Sequence, residues 1–148
     1  MENTLKIWTD GSCNYRDRLG GWAYIIEDQF GNIQSNRGGL RKTTNQRAEM
    51  TAAIQALSSV PDNTELILIS DSEYLLKGIS IWMEKWSRTG WKVKNPDLWK
   101  KIYDIIDDKN LWVHCRWVKG HSNNEYNNEC DRLASLARKE ARRRSING

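Results

Sequence analysis

The chain has 148 residues, 28% of them charged and 9% aromatic, with a formal net charge of +4. That length suits one domain with a proper core, and the composition excludes a disordered chain. No apolar stretch approaches the ~20 residues of a membrane-spanning helix, and MENTLKIW lacks the basic and apolar blocks of a secretory signal, so a cytoplasmic, monomeric protein is expected.

In chain order, residues 4–9 (TLKIWT) alternate and predict a strand. Residues 20–28 and 32–40 predict a hairpin around Asp28-Gln29-Phe30-Gly31. Met50, Ala53, Ile54 and Leu57 recur at helical spacing within 45–59. ELILIS (65–70) predicts a strand buried on both faces. DSEYLLKGISIWMEKWSRTG predicts two helices, broken near Gly78 and ended by Gly90. A further helix is expected over 97–108, and a strand over 111–118, where Leu111, Val113, Cys115 and Trp117 alternate. Cys130, Leu133, Ala134 and Ala137 mark a last helix. No repeat or linker divides the chain, so a single domain over 1–148 is expected, with a basic helix end or tail at about 138–148. The order β-β-β-α-β-α-α-α-β-α implies an α/β fold: a mixed five-stranded sheet, three antiparallel strands then two parallel, with helices on both faces.

Four acids border apolar features. Asp10 ends the first strand in TDGS, and Asp71 follows ELILIS. Glu49 precedes Met50 on the first long helix, and Asp131 follows Cys130 on the last. Adjacent parallel strands would bring Asp10 and Asp71 to one edge, where ligands bind in α/β sheets. Each acid alone also has a bland explanation: Asp71 as a helix cap, Asp10 in an Asx-turn. If the four converge, capping no longer suffices, because each pair at ~4 Å repels by several kcal/mol at an effective dielectric of 20. Two divalent cations would balance them, and an oxygen-only set selects Mg²⁺ or Mn²⁺ over Zn²⁺. Cys13, Cys115 and Cys130 have no metal-like spacing and read as reduced thiols.

Cations Lys85, Arg88, Lys92, Lys94, Lys100 and Lys101 interleave with Trp82, Trp86, Trp91 and Trp99. This suits a surface that tracks a nucleic-acid backbone, or else a solvated face over core tryptophans.

TDGSC, TTNQRAEMTAAIQAL, SDSEYLLKGI, WMEKWSRTGWK, KNPDLW, WVKGHS and NNECDRLA occur in an order that resembles type 1 ribonuclease H, from about Lys6 to Ala137. The resemblance implies a ribonuclease H-like fold and a metal-dependent endonuclease that cuts the RNA strand of an RNA/DNA hybrid. Its four acids fall on Asp10, Glu49, Asp71 and Asp131, with two ions between them. His121, in KGHS, matches a histidine that assists proton transfer or product release, a task suited to its pKa range. Asn45 and Gln46 match minor-groove contacts beside Glu49, where RNA exposes its 2′-hydroxyls. Lys42, Thr44 and Asn95 match a grip on a DNA-strand phosphate, and Trp82 and Trp86 match the channel for the DNA strand.

Three departures stand out from that resemblance. Asn14-Tyr15-Arg16-Asp17-Arg18 replaces a Gly/Pro-rich turn, so that Asn14 and Arg16 become candidate substrate contacts. The Trp91–Asn95 connection is short where relatives carry a lysine-rich handle. Asn128 stands where relatives often have Glu. Two rival readings are a transposase-type nuclease on the same fold and a non-catalytic nucleic-acid-binding module. The glutamate on the first helix argues against the former, and the complete acid set against the latter.

Overall fold

The computed structural model of the protein describes residues 4–120 and 123–147. Strand β1 (Leu5–Cys13) pairs antiparallel with β2 (Gly20–Glu27), which pairs antiparallel with β3 (Ile33–Leu40). Helix α1 (Asn45–Ser59) then crosses the sheet, and β4 (Glu65–Ser70) lies parallel to β1 on its free side. Helices α2 (Glu73–Lys77), α3 (Met83–Arg88) and α4 (Pro96–Asp108) lead to β5 (Trp112–Trp117), parallel to β4, and α5 (Glu125–Asn147) follows. The strand order is β3-β2-β1-β4-β5, the mixed sheet expected.

Period-two alternation divides the core between two faces. Ile7, Tyr24, Leu66 and Leu68 pack with Met50, Leu57, Leu75 and Trp99 on one face, under α1, α2 and α4. Trp8, Ala23, Ile25 and Ile69 pack with Cys130, Leu133 and Ala134 of α5 on the other. Leu66 and Leu68 are fully buried, and each such side chain contributes roughly 1.5–3 kcal/mol. Among the described residues, no helix is long and apolar enough to cross a membrane.

Two expectations need correction. The first strand does not stop at Thr9, because Gly11, Ser12 and Cys13 continue the ladder with Trp22, Gly21 and Gly20. The parallel pairing with β4 does end early, at Trp8 and Ile69. Asp10 therefore lies inside β1, just past the point where β4 leaves it.

Helix α2 does end at Gly78, as the sequence suggests, but the chain stays helical there rather than breaking. Residues Gly78–Trp82 form a π-turn joining α2 to α3, with Gly78 in ordinary helical dihedrals and Met83 N–H bonded to the Gly78 carbonyl. Glycine is needed there for space rather than flexibility, since a Cβ would overlap the indole of the fully buried Trp99.

Gly78→Ala weighs these effects against each other. Helix propensity favours alanine by about 1 kcal/mol, whereas forcing a methyl into a packed indole costs roughly 1–3 kcal/mol and more where backbone cannot move. The variant is expected to be less stable by about 1–2 kcal/mol in urea unfolding, with an unchanged m-value.

Candidate active site

Glu49 reaches Asp10 because residue 11 has no side chain. A Cβ on Gly11 would collide with the α1 backbone at Ala48 and Glu49, so the helix rests directly on β1. Ala48 and Ala52, both fully buried, keep the rest of that contact thin. Thr44 starts α1, its hydroxyl accepting the Arg47 N–H at 3.1 Å.

Asp71 occupies the bend after β4, and it is Ser72 that caps α2, accepting the Leu75 N–H at 3.2 Å. The capping explanation for Asp71 thus passes to its neighbour. Asp131 lies on α5 beside Cys130, whose thiol donates to the Trp8 carbonyl at 3.3 Å and ties that helix to β1.

Carboxylate oxygens of Asp10, Glu49 and Asp71 lie within 4.8 Å of one another. Asp131 lies outside this group of three but lines the same cleft, of about 480 Å³, together with Gly11, Ser12, Asn45 and Gln46. Asp10 is 4% exposed and Glu49 9%. Two unit charges at such separations repel by roughly 3–4 kcal/mol at an effective dielectric of 20.

The acids cannot all ionise unaided. Burial pushes Asp10 up to about 10, reinforced by its hydrogen bond to Glu49 and by the charges of Glu49, Asp71 and Asp131. Without a cation Asp10 therefore keeps its proton at neutral pH and donates it to Glu49. Burial raises Glu49 as well, partly opposed by hydrogen bonds from Asp10 and the Ser72 hydroxyl. Cys13 shares the cleft, yet burial raises its thiol too, so it stays protonated and is a poor ligand. A largely buried set of hard oxygens that holds a proton for want of positive charge fits a hard divalent cation.

The expected substrate contacts fall into three groups. Asn45 and Gln46 line the cleft. Thr44 and Asn95 meet through Arg47, whose guanidinium donates to the Asn95 Oδ1 at 3.2 Å and forms a two-pronged pair with Asp97 at 3.0 and 2.8 Å. The Asn95 amide nitrogen is buried and has no hydrogen-bond partner among the described residues, while Lys42, two residues before Thr44, is exposed at φ +50°. The third group is aromatic: Trp82 is 37% exposed, its ring 5.9 Å from Trp86, which lies 5.2 Å from Trp99.

The turn after β1 is built by its own side chains. Asn14 Oδ1 accepts the Arg16 N–H at 2.9 Å, and Arg18 donates to the Lys42 carbonyl at 3.3 Å. Arg16 is exposed, 5.8 Å above the ring of Tyr15. His121 lies outside the described residues. Sequence reasoning missed Arg47, Ser72 and Trp117, whose indole N–H donates to the Asp71 carbonyl at 3.0 Å. Only Arg47 left a signal, as a cation near the start of α1 with Asp97 at the start of α4.

The chain matches the RNase H family over residues 2–139. Ribonuclease H of Prosthecochloris aestuarii is 43% identical over 150 residues, covering 96% of this chain and all of the relative. Ribonuclease H of Acetivibrio thermocellus is 43% identical over 140 residues, covering 88% and 92%. Among solved structures, LC9-RNase H1, a type 1 RNase H with the type 2 active-site motif, is similar with a TM-score of 0.83 at 25% identity, covering 95% of this chain and 74% of the other.

Asp10→Asn removes the trapped proton while its amide can still donate to Glu49. Folding raises the Asp10 pKa above its unfolded value of about 3.9, so this group's stability is full below that pH and is lost as pH climbs towards 10. Without metal, the variant is expected to match the parent near pH 4 and to exceed it near pH 8 by on the order of 2–4 kcal/mol. Urea unfolding across that range checks both ends.

Proposed function

Because this chain belongs to the RNase H family, we propose that it is an endonuclease that hydrolyses the RNA strand of RNA/DNA hybrids at the cleft holding Asp10, Glu49, Asp71 and Asp131. The observation that carries the reading is the gathering of three carboxylates within 4.8 Å, two of them buried. No cap or turn requires that arrangement, and it opposes stability. A site that works against its own fold is the mark of chemistry.

Two Mg²⁺ ions, with Mn²⁺ as a substitute, suit the all-oxygen set; when bound they activate a water and stabilise the departing RNA 3′-oxygen. Asp10 and Asp131 would hold the ion that supplies the activated water, and Asp10, Glu49 and Asp71 the one at the departing 3′-oxygen. Products carry a 5′-phosphate and a 3′-hydroxyl. His121 assists proton transfer or product release.

The remaining residues align the hybrid. Asn45 and Gln46, at the open start of α1, read the minor groove beside Glu49 and sense the 2′-hydroxyl. Arg47 holds Asn95, and Asn95, Thr44 and Lys42 grip a phosphate of the DNA strand. Trp82 offers its exposed face to that strand, supported from beneath by Trp86 and Trp99. Asn14 shapes the turn that presents Arg16. The whole chain acts as one catalytic domain, as a cytoplasmic monomer.

Cleavage of a labelled hybrid with and without Mg²⁺ tests the assignment. The parent is expected to cut only with metal and only the RNA strand, leaving a DNA duplex intact. Asp10→Asn is expected to lose at least about a thousandfold in kcat while still binding the hybrid, since it removes charge at the reacting centre.

The turn arginines address grip rather than chemistry. Replacing Arg16 and Arg18 by alanine together should raise KM and flatten its salt dependence by about one to two units, with kcat little changed. A salt series on one fixed hybrid measures this. Because Arg18 is already bonded to the Lys42 carbonyl, most of the effect should reside in Arg16.

A further inference from the structure

Of the four acids lining the cleft, Asp71 alone lies outside regular secondary structure. It sits in the bend between β4 and α2, where its main-chain carbonyl lies outside both the sheet ladder and the helix. At this exposed position water could satisfy the carbonyl, so a protein donor there fixes geometry rather than rescuing a buried group. The donor is a side chain: Trp117 Nε1–H, at 3.0 Å.

The surroundings of this bond are built to the same end. Trp117 lies opposite Ser70 in the parallel pairing of β4 and β5. Val118 N–H continues that pairing onto the Ser70 carbonyl at 3.0 Å. On the other side, Ser72 N–H bonds to the Ser70 hydroxyl at 3.0 Å, and the Ser72 hydroxyl bonds to Glu49. Residues 70–72 are thus fixed by β5 on one flank and by the acids on the other. Further along, Gly120 leaves room for the Asp71 carboxylate, since a Cβ there would come within 2.9 Å of Oδ2. Trp117 at the end of β5 and Gly120 beyond it therefore approach Asp71 at its carbonyl and at its carboxylate.

Ordinary packing does not account for the tryptophan. Its side chain is 50% exposed, so a smaller apolar residue would close the sheet edge at less cost in exposed surface. What an indole adds at this position is one N–H on a rigid arm. By holding the Asp71 carbonyl it fixes the peptide plane, and with it the direction in which the carboxylate leaves the chain.

We propose that Trp117 is the positioning residue of Asp71: its indole N–H sets the carboxylate in the geometry that a divalent cation requires, without touching the cation or the hybrid. This rests on the reading of Asp71 as a metal ligand. Partners that orient a ligating group from behind typically matter about tenfold or more in metal affinity.

The test is Trp117→Phe, which keeps an aromatic ring and removes the donor. Calorimetric titration with Mg²⁺ or Mn²⁺ should show affinity weakened about tenfold, with KM for the hybrid unchanged and kcat largely recovered at saturating metal. In the intact parent, the Trp117 indole N–H resonance should move with the metal-binding curve, while that of Trp112, exposed on the same strand, stays in place. This second measurement needs no variant to fold. Unchanged metal affinity in a folded Trp117→Phe protein, or an indole resonance indifferent to metal, would overturn the proposal. A raised KM with unaltered metal affinity would overturn it too, making Trp117 a substrate contact. Should the parent itself bind no metal, the reading of the acids fails first, and the two failures are thereby told apart.

Discussion

The backbone of α1 rests on Gly11, with no room between them for even a methyl group. That one contact brings Glu49 to Asp10 and fixes how far the acids can separate. The apolar core on both faces of the sheet supplies the energy that holds them there. Cys130 fastens α5 to the Trp8 carbonyl, so Asp131 enters the same cleft from the opposite layer. Repulsion among the carboxylates is thus paid for by burial elsewhere. The proton trapped on Asp10 marks the place where positive charge is missing.

Around this strained centre the chain places groups braced by their neighbours. Arg47 meets Asp97 with two hydrogen bonds and turns a third on Asn95, joining the starts of α1 and α4. The turn after β1 is closed by Asn14 and stitched to the residues before α1 through Arg18. Tryptophans step outward from Trp99 in the core through Trp86 to Trp82 at the surface. Rigid supports of this kind let a substrate surface hold its shape while remaining exposed.

Much of the fold was legible because its signals are strong and local. ELILIS could only be a buried strand, and the helical spacing of Met50, Ile54 and Leu57 matched the buried face of α1. The continuation of β1 through Gly11, Ser12 and Cys13 was hidden, since polar and small residues carry no alternation that a reader can detect. Gly78 reads as a break in sequence because glycine more often marks an end than a close approach. Only the position of Trp99, twenty-one residues on, gives its reason. The four acids were found by resemblance and by their odd placement beside apolar features. Their depth of burial, the Ser72 hydroxyl on Glu49 and the Trp117 bond to Asp71 depend on tertiary contacts and leave no trace in the order of residues.

The central claim is that the fold forces these carboxylates together and that a cation takes the place of the proton on Asp10. Calorimetric Mg²⁺ titrations at pH 7, repeated in buffers of different ionisation enthalpy, count the protons released on binding. The account predicts release of close to one proton as metal enters. Binding of Mg²⁺ with no proton released would contradict it, because Asp10 would then have been ionised all along.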